Sequence, residues 1–203
     1  MNPGRSTNSA IARRQTGGPA SPDWRARFRA GDDISLDAFV QEVRRFYPFF
    51  PAVAARVRTK FTLQGMHFPK GRRVMLDLFG TDRDARTWSE PHEFCPERFQ
   101  EEDGGAFGFI PQGGGEVAVH HRCPGEPVTI ELMKVAVQFL SARITYDVPG
   151  QDLDIAWSRL PALPYSRMII RDVRAATTGP RVAPLRTRSD NPCMMLYDDR
   201  HFA

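Results

Sequence analysis

Apolar and polar positions change period several times along the chain, and each change marks an element. From Ile34 to Phe46, the residues Leu36, Phe39, Val40, Val43 and Phe46 recur at helical spacing. They predict an amphipathic helix that Pro48 ends at Tyr47. Ahead of it, Pro22 to Gly31 reads as a short helix closed by a glycine. Between Pro51 and Gly80 the pattern turns to strands: Val57 to Leu63 and Arg73 to Phe79 are β-type runs joined through Gly65, Pro69, Lys70 and Gly71. Helical spacing returns in Val128, Leu132, Val135, Ala136, Phe139 and Leu140, a single stripe that predicts a buried helix. Pro127 suits its first turn, where a missing N–H has no partner to lose. Ile144 to Val148 then reads as a strand, Leu160 to Pro164 as a turn, and Met168 to Ile170 as a returning strand. The expected class is mainly α with small β-hairpins.

The ends carry no such periodicity. Residues 1–21 are Ser, Gly, Pro, Ala and Arg, and the stretch 175–203 is rich in Pro, Arg, Asp and Met. Both are expected to be disordered, flanking one folded unit over 22–174. At 203 residues the chain can bury a core, and its formal charge of +4 is spread rather than massed, which gives little support to nucleic-acid binding. No apolar run is long enough to span a bilayer, and no signal-peptide core follows the first methionine. Three scattered cysteines, Cys95, Cys123 and Cys193, argue against a disulfide framework and for a reducing, cytoplasmic setting.

Candidate chemistry concentrates between Phe109 and Glu126. Phe109-Ile110-Pro111-Gln112 leads into three glycines, Gly113 to Gly115, and the loop ends in Arg122-Cys123-Pro124-Gly125-Glu126. Cys123 thus stands just before a helix start, among N–H groups that favour a thiolate over a thiol. Such a sulfur is a candidate metal ligand or nucleophile; a small buried hydrophobe is the plain alternative. A zinc site built from His92, Cys95, His120, His121 and Cys123 is a weaker alternative, because the spacings match no finger or ribbon. Further back, Glu42 and Arg45 lie three apart on a predicted helix, where they can pair.

Three stretches together resemble the cytochrome P-450 family: Phe-Ile-Pro-Gln-Gly-Gly-Gly running on to Cys123, Glu42-Val43-Arg44-Arg45 about eighty residues earlier, and Pro96-Glu97-Arg98-Phe99 between them. The wording of these motifs is most similar to the bacterial fatty-acid peroxygenase branch. The resemblance runs from about Pro22 to Val173 and implies the C-terminal, haem-ligand part of that fold. It implies haem b as cofactor, with Cys123 as the axial ligand of its iron and His121, Gly114, Gly115 and Gly125 around the group. Glu42, Arg45 and Arg98 are implied as a buried structural network, and Phe49, Phe50, Leu163 and Pro164 as parts of a substrate pocket. The implied reaction is hydroxylation of fatty acids by hydrogen peroxide.

Two departures stand out against that pattern. The chain is expected to lack the N-terminal half and the long central helix that covers the distal side of haem. No catalytic residue is therefore identifiable, a complementing polypeptide is unknown, and a non-catalytic fragment with weak or no haem binding is the alternative. In addition, His120 stands where the family carries glycine, which costs stability if that backbone needs a positive φ.

Overall fold

The computed structural model describes residues 23–176; the expected arm over 1–21 and the stretch 177–203 of the expected tail lie outside them. Helix α1, Trp24–Ala30, starts where the Asp23 side chain accepts the Ala26 amide at 3.1 Å and ends at Gly31 in the left-handed region. Helix α2, Asp33–Phe46, starts in the same way, with Asp32 accepting the Ser35 amide at 3.0 Å. It stops at Tyr47, which is extended as the residue before a proline must be. Phe28, Leu36 and Val40 are buried between these helices, with Trp24, Phe39, Ile130, Met133 and Val137 packed against them. Edge-to-face contacts run from Phe28 to Phe39, Phe94 and Phe46, extending this core toward the candidate site.

The strands pair differently from the expected Val57–Leu63 with Arg73–Phe79 hairpin. Strand β1, Ala52–Arg56, and strand β4, Arg73–Asp77, form the outer antiparallel pair. Nested within it are β2, Phe61–Leu63, and β3, Met66–Phe68. The cause is the turn at Gln64-Gly65, where φ is 49° and 78°. Two successive positive φ values match the twist of a tight two-residue hairpin loop, so the chain reverses there.

Short elements follow: α3, Leu78–Thr81; a 3-10 turn, Pro96–Gln100; and α4, Gly105–Gly108. Helix α5, Glu126–Gln138, runs on through a π turn at Phe139–Arg143. Strand β5, Ile144–Asp147, pairs with β8, Arg171–Ala175, and β6, Ile155–Ala156, with β7, Leu163–Pro164. The returning strand is thus Arg171–Ala175, not Met168–Ile170, and Ala175 pairs with Ile144, one residue past the expected end of the folded unit. All five β8 residues are exposed, so an apolar count along the sequence has nothing to find there.

Helix α5 corrects the largest expectation. Its buried side is Ile130, Met133 and Val137. Of the expected buried stripe, Val128, Leu132, Val135 and Phe139 are 63, 64, 47 and 52 % exposed. Leu140 is 38 % exposed, and Ala136 is exposed too. The helix is apolar on two faces, each at helical spacing, and the sequence alone does not say which one meets the core.

Candidate functional site

Two buried polar networks converge on the loop that carries Cys123. In the first, Glu42 and Arg45 are both fully buried one turn apart on α2, and the planar guanidinium grips the carboxylate with two bonds of 2.7 and 2.8 Å. The remaining Arg45 donors reach the carbonyls of Asp82, Pro91 and Glu93 at 3.0, 2.9 and 3.1 Å. Arg98, from the 3-10 turn, lies 3.4 Å from the same Glu42 carboxylate and donates to the carbonyls of Ser89, Glu90 and Glu93. The Cys95 amide takes the other Glu42 oxygen at 2.8 Å. Glu42, Arg45 and Arg98 are therefore brought together, and they pin the irregular stretch between Asp82 and Arg98, which lacks strands of its own to satisfy its backbone.

Asp82 joins this network to the glycine loop. It is buried, and its carboxylate accepts the Ile110 amide at 2.7 Å. Burial pushes its carboxyl up to about 7, against the pull of that amide and of Arg45 and Arg44. Beside it, Arg83 is held between the Phe46 and Phe79 rings at 4.4 and 4.2 Å, and burial lowers it to about 10.

The second network surrounds the cysteine itself. The Cys123 amide donates to the Gln112 carbonyl at 2.9 Å, and the Cys123 carbonyl accepts the Glu126 amide at 3.2 Å, opening α5. Arg44 and Arg122 both donate to the buried Glu126 carboxylate. Gly113 makes this crossing possible: its φ is +90°, and a Cβ there would lie 1.9 Å from the His121 carbonyl oxygen. Gly114 lies against Ile110 and the Ala106 carbonyl, and Gly115 against the His120 ring. His120 does not have a positive φ, so the expected strain is absent; its Nδ1 accepts the Glu116 amide at 3.0 Å and its ring meets Phe107 edge-on. His121 is exposed on the same loop.

The expected substrate residues are also placed close together. Phe49 and Phe50 meet edge-to-face, both largely exposed, and the Phe49 carbonyl accepts the Ala162 amide at 2.8 Å, beside Leu163 and Pro164. A cavity of about 490 Å³ opens beside them, lined by Tyr47, Phe49, Phe50, Phe79, Gln112 and Met133 among others. Leu163 and Pro164 stand outside its lining. Among the described residues no three His, Cys, Asp or Glu side chains converge as metal ligands, which overturns the zinc alternative. Nor is any helix among them long and apolar enough to cross a membrane.

Sequence reasoning missed four residues of this site: Arg44, Asp82, Gly113 and Glu126. Arg44 and Glu126 are separated by 82 positions, a pairing that no local pattern announces. Asp82 sits in a polar run that reads as solvated loop, although the crowding of Asp and Arg there was a visible cue. Gly113 was quoted in its motif but not singled out.

Comparison with known proteins agrees with this geometry. The family model for cytochrome P-450 matches residues 35–171. The demethylepipodophyllotoxin synthase of Sinopodophyllum hexandrum is 29% identical over 154 residues, which is 73% of this chain and 28% of the relative. Among solved structures, cytochrome P450SP alpha (CYP152B1) in complex with (R)-ibuprophen is 49% identical with a TM-score of 0.70, covering 81% of this chain and 39% of that one. Cytochrome P450EX alpha (CYP152N1) with myristic acid is 41% identical with a TM-score of 0.69, covering 83% and 40%. The chain thus spans about two fifths of these solved proteins and about a quarter of the curated relative.

Haem b is the cofactor of this family, and the residues present fit it. Cys123 is a half-buried residue, and its sulfur makes no hydrogen bond within the described residues. Gly125 leaves one flank of that sulfur bare, since a Cβ there would lie in ordinary contact with it at 3.7 Å. With the family model matched over residues 35–171 and the motif residues meeting as they do, this chain belongs to the cytochrome P-450 family, and its solved likenesses include members of the CYP152 group.

Proposed function

We propose that this chain carries the haem-ligand part of a haem-thiolate oxidoreductase that hydroxylates fatty acids with hydrogen peroxide. The observation that carries the reading is Cys123: a half-buried residue whose sulfur has no hydrogen bond among the described residues, on a loop whose backbone is fixed on both sides of it. When bound, haem b would supply the peroxide-dependent oxidation chemistry. The chain's own share is to bind and orient. Cys123 would hold the iron through its thiolate, with His121, Gly114, Gly115 and Gly125 on the loop around the group. Glu42, Arg45 and Arg98 would keep the supporting segment from moving. Phe49, Phe50, Leu163 and Pro164 offer an apolar wall for an acyl chain, in keeping with the myristic acid held by the solved relative. The cysteine usage supports a reducing, cytoplasmic setting, and no nucleic-acid partner is proposed.

A second reading is that these 203 residues alone are a non-catalytic fragment with weak or no haem binding. The bare apolar face of α5 favours it, because Val128, Leu132, Val135 and Phe139 meet solvent where a folded enzyme would cover them. A reduced-plus-CO difference spectrum of the haem-reconstituted chain, with Cys123→Ala beside it, tests the first reading. The band of thiolate-ligated haem in the parent and its loss in the variant support it; no haem uptake, or a spectrum indifferent to the substitution, sinks it. Peroxide-dependent turnover of a fatty acid then separates enzyme from fragment.

A further inference from the structure

Both backbone hydrogen-bonding groups of Cys123 are held by two residues, and one side chain holds both of those. Gln112 accepts the Cys123 amide, and Glu126 donates to the Cys123 carbonyl. Arg44 Nη2 donates to the Gln112 side chain at 3.2 Å and to the Glu126 carboxylate. Its Nη1 is fixed by Gln41 one turn back, and its guanidinium lies 5.2 Å from the centre of the Phe109 ring, at the head of the glycine loop. The Arg44 and Glu126 side chains are each only 4 % exposed. Gln112 is braced further by Thr129 on α5, and Glu126 by Arg122, the residue before the cysteine.

We propose that Arg44 is the positioning residue of Cys123, fixing through Gln112 and Glu126 the backbone that aims the sulfur. The guanidinium holds three acceptors with two nitrogens fixed in one plane, Nη2 serving the Gln112 amide oxygen and the Glu126 carboxylate and Nη1 serving Gln41, a spread that the single nitrogen of a lysine does not reproduce. Arg44 differs in this from its neighbour Arg45, whose hydrogen bonds go to Glu42 and to the carbonyls of Asp82, Pro91 and Glu93. The inference rests on Cys123 being the haem ligand, and the following experiment keeps the two claims apart.

In the full 203-residue chain, amide hydrogen exchange at Cys123 and Glu126 is compared between the parent, Arg44→Lys and Arg44→Met, beside exchange in α1 and in the β1–β4 pair. Exchange at the Cys123 amide is expected to rise about tenfold or more in Arg44→Lys while α1 and β1–β4 keep their protection. After haem reconstitution, the same variant is expected to lose at least half of its thiolate-type ferrous–CO band at unchanged total haem. Unchanged Cys123 exchange in Arg44→Lys overturns the proposal, and so does a rise matched throughout α1 and β1–β4, which would mean mere loss of stability. Should Arg44→Met not fold, Arg44→Lys decides alone. Should the parent take up no haem, the haem-thiolate reading fails, and the exchange comparison still scores Arg44.

Discussion

The carboxylate of Asp82 accepts the Ile110 amide at 2.7 Å while the Asp82 carbonyl accepts from Arg45 at 3.0 Å. One buried residue thus ties the Glu42–Arg45 network to the loop that leads to Cys123. The arrangement has an electrostatic cost, because burial pushes the Asp82 carboxyl up to about 7 from an ordinary 3.8. Arg45 and Arg44 from α2 lower it and Glu126 from α5 raises it, all less than burial does.

For an acid raised in the folded state, the folded form prefers the proton. The stability linked to Asp82 is therefore fully present below about 4 and is lost as pH rises toward 7, with no further change above that. Asp82→Asn keeps an acceptor for Ile110 and removes the titration. Its stability relative to the parent should climb between pH 4 and 7, by roughly 4 kcal/mol at most, and then level off. Urea unfolding of both proteins at a series of pH values measures it; parallel curves would show that folding does not raise the Asp82 carboxyl.

Glu42→Gln should be far more damaging than any surface ion-pair change. It leaves Arg45 buried without its carboxylate and Arg98 without its counter-charge, a situation that costs about 3–5 kcal/mol. Arg45→Lys should fall in the same range, since three clustered donors cannot reach both Glu42 oxygens and the carbonyls of Asp82, Pro91 and Glu93. By contrast, Arg86→Ala, which breaks an exposed pair with Asp84, should leave the denaturant midpoint close to that of the parent. Denaturant midpoints of the three variants rank them directly.

What the sequence disclosed follows from how far each signal reaches along the chain. Helix α2 was legible because Leu36, Val40 and Phe46 mark one face and Pro48 marks the stop. The motif residues Glu42, Arg45, Arg98 and Cys123 were legible only together, as a resemblance, since Glu42 and Arg45 alone look like any exposed pair. Hidden were the contacts that depend on packing: Arg44 with Glu126, Asp82 with Ile110, and the choice of which face of α5 is buried. Strand β8 was hidden for the opposite reason, because all its side chains are exposed and only its backbone pairs with β5.

Two glycines of the cysteine loop should respond in opposite ways. Gly113→Ala forces a Cβ to 1.9 Å from a backbone oxygen at φ +90°, and backbone cannot step aside as a side-chain tip can. A loss of more than about 2 kcal/mol is expected, with Cys123 displaced. Gly125 has φ −82°, an ordinary helical value, and its added Cβ meets only the Cys123 sulfur at 3.7 Å. Gly125→Ala should therefore leave the haem-free chain as stable, or more stable by about 0.4–1 kcal/mol, while weakening haem uptake. Thermal melts of the haem-free variants and haem titration of each separate the two effects.

The bare face of α5 makes a prediction about association. Leu132 and Val135 are 64 and 47 % exposed, so polar replacements there remove no core contact. Ile130, Met133 and Val137 on the opposite side hold the helix to α1 and α2. In the 203-residue chain, Leu132→Gln with Val135→Lys should suppress concentration-dependent self-association, as seen by sedimentation velocity, and change the unfolding free energy by no more than about 0.5 kcal/mol. If α5 were instead covered within this chain, the same double variant would destabilise it by about 2–5 kcal/mol, as truncation in a core does. Substituting Met133→Ala should destabilise the chain more than the double variant does, because its half-buried side chain packs against the core on the other side of the same helix.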